Sequence, residues 1–68
     1  MDSGTVRYFN VLQGYGAIAA DSGTGDVYVH VSVLELAGLK TLLHGQRVQY
    51  KTQADRHGNA AAQFIKVV

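Results

Sequence analysis

Runs rich in valine, tyrosine and phenylalanine, alternating with a period of two at residues 27–30, are broken at short intervals by clusters of glycine and asparagine. Successive side chains of a strand point to opposite faces. Val27-Tyr28-Val29-His30 therefore turns its valines to one side and Tyr28 and His30 to the other. The pattern predicts strands at residues 5–10, 15–20, 27–30, 47–54 and 60–67. The short link 11–14 suits a hairpin between the first two strands, and the turn 21–25 suits a second hairpin. Residues 55–59 read as a further turn, with Gly58 at its positive-φ position. Ser32 followed by Glu35 has the spacing of a capping box, so one helical turn is expected over 32–36 with Ser32 as N-cap. Val33, Leu34, Leu36, Leu39, Leu42 and Leu43 are spaced too irregularly for a longer helix, which leaves a long loop to Gly45.

Short strands, turn glycines and little helix point to an all-β fold, a small closed barrel of five strands in which closure removes exposed edges. The inward positions are Val6, Ile18, Val27, Val29, Val48, Tyr50 and Ile65.

Composition narrows the class. Sixty-eight residues make one domain, and a chain of this size buries only about 60 % of its unfolded surface. It has no cysteine, hence no disulfide or thiolate metal site to reinforce it. No run approaches the roughly 20 apolar residues that span a bilayer. Met1-Asp2-Ser3-Gly4 lacks the basic and apolar regions of a signal peptide, so the expected location is cytoplasmic. The net charge of +1 is not the basic footprint of a protein that grips duplex phosphates. It is compatible with single-strand binding, where stacking carries more of the affinity.

The candidate chemistry is aromatic. Tyr15, flanked by Gly14 and Gly16, joins Tyr8, Phe9, Tyr28 and His30 as a possible platform for unpaired bases. Phe9 falls between the platform and the core, and Phe64 and Tyr50 read as packing or surface residues. His30, His44 and His57 lack metal-ligand spacing. Gly14-Tyr15-Gly16 lacks the third glycine and the helix of a dinucleotide fingerprint. No paired acid and base supports an enzyme, and no cofactor is implied. Asp26 suits either a base contact or a pin for the second hairpin, and Arg56 and His57 lie near a hairpin tip. Val11-Leu12 is an apolar pair in a turn, open to a covering, base-contacting or protein-contacting role, the last together with Leu42 and Leu43.

Arg7-Tyr8-Phe9-Asn10, Gly14-Tyr15-Gly16 with Ile18, Asp26-Val27-Tyr28-Val29-His30, Gly38-Leu39-Lys40-Thr41-Leu42 with Gly45-Gln46 and Val48, and the tail Gly58 to Ala62 together resemble a bacterial cold shock protein over nearly the whole chain. The resemblance implies a single cold shock domain over 1–68 with an oligonucleotide-binding (OB) barrel. It implies binding of single-stranded RNA or DNA, pyrimidine-rich by preference, by an RNA chaperone or transcription antiterminator. It places base stacking on Tyr8, Phe9, Tyr15, Tyr28 and His30, and backbone contact on Arg7. Beside these, Leu39 is a candidate contact to a base edge, Lys40 and Lys51 are candidate phosphate contacts, and Arg56 is either a phosphate contact or solvated surface.

The chain also departs from the family pattern. Ala17 and Val31 stand where the family has stacking aromatics, Leu39 replaces a loop phenylalanine, Gln13 a lysine and Tyr8 a tryptophan. A stacked base is worth about 1–3 kcal/mol, so binding weaker than is usual for the family is expected. The alternative is a degenerate barrel used for protein interaction or dimerisation, and the chain is expected to be either a monomer or a homodimer domain-swapped through the loop 35–45.

Overall fold

Burial follows a period of two at Gly4 and Val6, at Val27 and Val29, and at Val48 and Tyr50. The computed structural model of the protein describes residues 2–23, 25–54, 58 and 60–68. Its elements are β1 (Asp2–Asn10), β2 (Tyr15–Ala20), β3 (Asp26–His30), α1 (Val31–Leu36), β4 (Arg47–Ala54) and β5 (Ala60–Val67). The strands close into a barrel in the order β1-β2-β3-β5-β4, with β4 returning to β1. Neighbours are antiparallel except β3 and β5, which meet in parallel at Tyr28 and Ala61. This is the five-stranded barrel with one short helix that the sequence predicts.

All seven expected inward residues are buried, Tyr50 among them. Among the described residues four more apolar side chains join them: Ala17, Leu34, Leu42 and Ala62. Leu34 on α1 and Leu42 in the loop after it belong to the core cluster, so the segment between β3 and β4 contributes to the interior. Leu42 is therefore not available for the surface contact considered for it beside Leu43.

β1 starts three residues before the expected Thr5. Asp2, Ser3 and Gly4, outside the expected strand, pair with Tyr50, Gln49 and Val48 of β4. That pairing is remote in sequence and has no local signature. Gly4 allows it: a Cβ there would lie 2.6 Å from both the Ala19 carbonyl oxygen and Ile18 Cγ2. β3 likewise begins one residue early, at Asp26. Gly58 has φ +79° as expected, whereas Arg56 and His57, the other residues singled out in that turn, lie outside the described residues.

The helix also differs from expectation. It begins at Val31, and its N-cap is His30, not Ser32. His30 keeps the extended backbone of β3 (φ −96°, ψ 153°), and its Nδ1 accepts from the Ser32 N–H at 3.2 Å. The strand continues directly into its own helix cap, so no separate Ser/Thr cap is needed.

Surface ion pairs tie remote strands. Arg47 of β4 donates to both Asp21 carboxylate oxygens, at 2.7 and 2.6 Å, and to Thr5 Oγ1 of β1 at 2.9 Å. The guanidinium holds the Asp21 carboxyl below its ordinary pKa of 3.8, first through these hydrogen bonds. Burial, and then the charges of Asp2 and Asp21, push the Tyr50 phenol above its ordinary value of 10.0.

Candidate nucleic-acid interface

The outer face of β1, β2 and β3 carries the aromatic residues, and strand register places them in rows. Asn10, Tyr15 and His30 form one row, and Tyr8, Ala17 and Tyr28 the next. Tyr8 owes its position to an irregularity. Register shifts between Val6 and Tyr8, so Arg7 is an extra residue on β1. Without it, period two would send Tyr8 inward with Val6; a bulge re-aims a side chain in this way. Tyr15 and Tyr28 are 41 and 45 % exposed, as their phase against Ile18, Val27 and Val29 predicts, and the bulge leaves Tyr8 47 % exposed beside them.

Ala17 sits between Tyr8 and Tyr28 in register and is only 1 % exposed. Adjacent strands are about 4.8 Å apart, so the backbones bearing these two tyrosines lie about 10 Å apart across β2. A methyl group at position 17 leaves the outer surface to the flanking residues.

Phe9 has a different role from the tyrosines. It pairs with Gly16 on the inner side of the sheet and packs, half-buried, against the core. The missing side chain of Gly16 makes room for it: a Cβ there would stand 2.8 Å from Phe9 Cδ2. Leu39 is also half-buried and packed against the core, while Lys40 beside it is exposed. Arg56 lies outside the described residues. Structure thus brings Tyr8, Tyr15, Tyr28 and His30 onto one face, and it turns Phe9 and Leu39 towards the core.

Electrostatics of this face centre on Arg7. Its guanidinium donates to Asp26 at 3.2 and 3.4 Å, reaching from β1 across β2 to β3. Ala19 and Asp26 are register partners, so a small residue underlies the bridge. Asp26 therefore ties β1 to β3 rather than pinning the β2–β3 hairpin alone. His44 in the loop before β4 bonds the Arg7 carbonyl through Nδ1 at 2.8 Å and secures the bulge from the other side.

The rim of the face is apolar at the β1–β2 turn, where Leu12 is 99 % and Val11 62 % exposed. Gly14, at φ +79°, closes that turn on the Asn10 carbonyl, and its own carbonyl accepts from the Val31 N–H at 2.7 Å. Val31 is thus a half-buried anchor for the turn. Asp26 and Ser32 are the site neighbours absent from the sequence-based set. The sequence offers Asp26 a base contact or, by preference, a hairpin pin, and nothing in the local pattern of Ser32 points to a histidine partner.

Among the described residues no helix is long and apolar enough to cross a membrane. Comparison with known proteins gives the family. The family model described as "'Cold-shock' DNA-binding domain" matches residues 2–67. The chain is 42 % identical to the cold shock protein CspA of Rhizobium meliloti over 97 % of each chain. It is 46 % identical to a cold shock-like protein of Thermotoga maritima over 96 % of each. It is also 46 % identical to a probable cold shock protein of Sinorhizobium fredii, over 82 % of this chain and 81 % of the relative. A five-stranded barrel, ring-bearing outer strands and a match of this extent lead to one conclusion: the chain belongs to the cold-shock domain family of nucleic-acid-binding proteins.

Proposed function

We propose that this protein binds single-stranded RNA or DNA by stacking bases on the outer face of β1, β2 and β3. It acts passively, as an RNA chaperone or antiterminator that holds strands open without an energy source. The observation that carries the reading is the exposure of Tyr8, Tyr15 and Tyr28, each more than two-fifths open to solvent in a sheet whose other face buries Val6, Ile18, Val27 and Val29. Aromatic rings exposed at this level give each base a π-face worth about 1–3 kcal/mol. His30 beside Tyr15 extends the surface. Lys40 supplies an exposed cation with no ion pair among the described residues, and Arg7 a cation already shared with Asp26.

The face is short. Ala17 offers no ring, and Phe9 and Leu39 are engaged with the core. About two to four bases fit such a surface, and the expected affinity for pyrimidine-rich strands is below that usual for the family.

The test is tyrosine fluorescence on titration with a short oligothymidine, with Tyr15→Ala and Tyr28→Ala in parallel. Saturable quenching that both substitutions weaken by about tenfold supports the reading, as one lost stack requires. Absence of quenching at high micromolar oligomer overturns it. A second reading, self-association of a barrel that no longer binds nucleic acid, draws on the exposure of Val11 and Leu12. Light scattering over a concentration series decides it, and a monomer at high micromolar concentration removes it.

A further inference from the structure

The ring of His30 is held by one residue. Ser32 presents its backbone N–H to Nδ1 at 3.2 Å and its hydroxyl to the same nitrogen at 2.9 Å. A backbone N–H can only donate, so Nδ1 is the acceptor and carries the lone pair. In a neutral imidazole the other nitrogen then bears the proton. Nε2 has no partner among the described residues, and His30 is exposed on the face that carries Tyr15 and Tyr28. The cap of α1 and the chemistry of the outer face are thus two ends of one ring.

We propose that Ser32 is a positioning residue that fixes His30 as the Nε2–H tautomer, making the outward ring nitrogen a dedicated hydrogen-bond donor. The inference rests on the nucleic-acid reading above. A donor at this point takes acceptors of the strand: base carbonyl oxygens or phosphate oxygens. It cannot accept from the exocyclic amino groups of bases. The ring therefore contributes direction as well as stacking area.

A chain of 68 residues is within reach of chemical synthesis, which permits a test that leaves the ring in place. Histidine methylated at Nε2, placed at position 30, keeps the ring face and the Nδ1 acceptor but has no outward proton. Unchanged thermal stability with oligothymidine affinity lowered about three- to tenfold, the equivalent of one net hydrogen bond, supports the proposal. Unchanged affinity overturns it. Nitrogen chemical shifts of His30 in the unmodified protein give an independent readout. A pyridine-type Nδ1 and a pyrrole-type Nε2 are expected, and averaged or reversed shifts overturn the lock. Ser32→Ala should move the two shifts towards each other, and Ser32→Thr should restore them. If methylation also weakens binding to an abasic oligomer, the acceptor is phosphate; if only the thymine-bearing strand responds, it is a base carbonyl. Failure of the unmodified protein to bind any oligomer overturns the nucleic-acid reading, whereas binding indifferent to methylation overturns this inference alone.

Discussion

Gly16→Ala places a single methyl group at the closest approach of β1 and β2. The new Cβ would lie 2.8 Å from Phe9 Cα and from Phe9 Cδ2, and it would also meet the Tyr8 carbonyl oxygen. Non-bonded carbons rest at about 3.5–4.0 Å, so the strands must part by about 1 Å where Phe9 and Gly16 are register partners. Phe9 Cδ2 can rotate away, but the Tyr8 carbonyl and Phe9 Cα belong to the backbone and cannot. Overpacking of this kind costs about 1–3 kcal/mol, and a stretched ladder hydrogen bond adds about 1 kcal/mol. Gly16 is not among the positive-φ glycines, so lack of room, not backbone strain, is the cause. Total stability for a chain of this length is about 3–10 kcal/mol, and each kcal/mol shifts Tm by about 4–8 °C. The melting temperature, followed by far-ultraviolet circular dichroism, should fall by about 8 °C or more. Oligothymidine binding, measured well below that temperature, should weaken as well, because Tyr8 moves with β1. A variant that melts within about 2 °C of the parent and binds equally would show that β1 and β2 are not in this register.

Three other outcomes are expected. Leu34→Ala should destabilise by about 2–5 kcal/mol in urea denaturation, because Leu34 is wholly buried where α1 meets the core; a cost below about 1 kcal/mol would mean that α1 is not packed on the barrel. Asp21→Asn should remove an acid-sensitive increment of stability: the carboxyl is held below its ordinary pKa of 3.8 by Arg47, so its contribution is present above that value and lost as pH falls through the lowered one. Denaturation midpoints of parent and variant should therefore differ at pH 7 and converge in strong acid, and a constant gap would contradict the pairing. Asp26→Asn frees Arg7 from its partner, and the slope of log affinity against log salt for a single strand should steepen by about 0.7, one additional phosphate contact; an unchanged slope would mean that Arg7 does not face the strand.

The alternation of Val27, Tyr28, Val29 and His30 was sufficient to place valines inside and rings outside, because a period of two leaves a strand only two faces. Likewise the phase of Tyr15 against Ile18 settled its exposure, and the glycine and asparagine punctuation located β2, β4 and β5 to the residue. Motif order and spacing identified the family. What local pattern could not carry was pairing between segments far apart in the chain. Asp2, Ser3 and Gly4 become strand only because β4 lies beside them. Arg7 becomes a bulge only because Val6 and Tyr8 both find partners on β2. Phe9 turns inward because Gly16 leaves a space opposite it, and Ala17 disappears between Tyr8 and Tyr28. The Arg7–Asp26 bridge and the His30 cap on Ser32 depend on distances of about 3 Å that no periodicity encodes. Sequence by itself determined which residues share a face, since that follows from the covalent geometry of each strand. Tertiary structure decided which of those residues remain free to meet a ligand, since that depends on what the neighbouring strands bring against them.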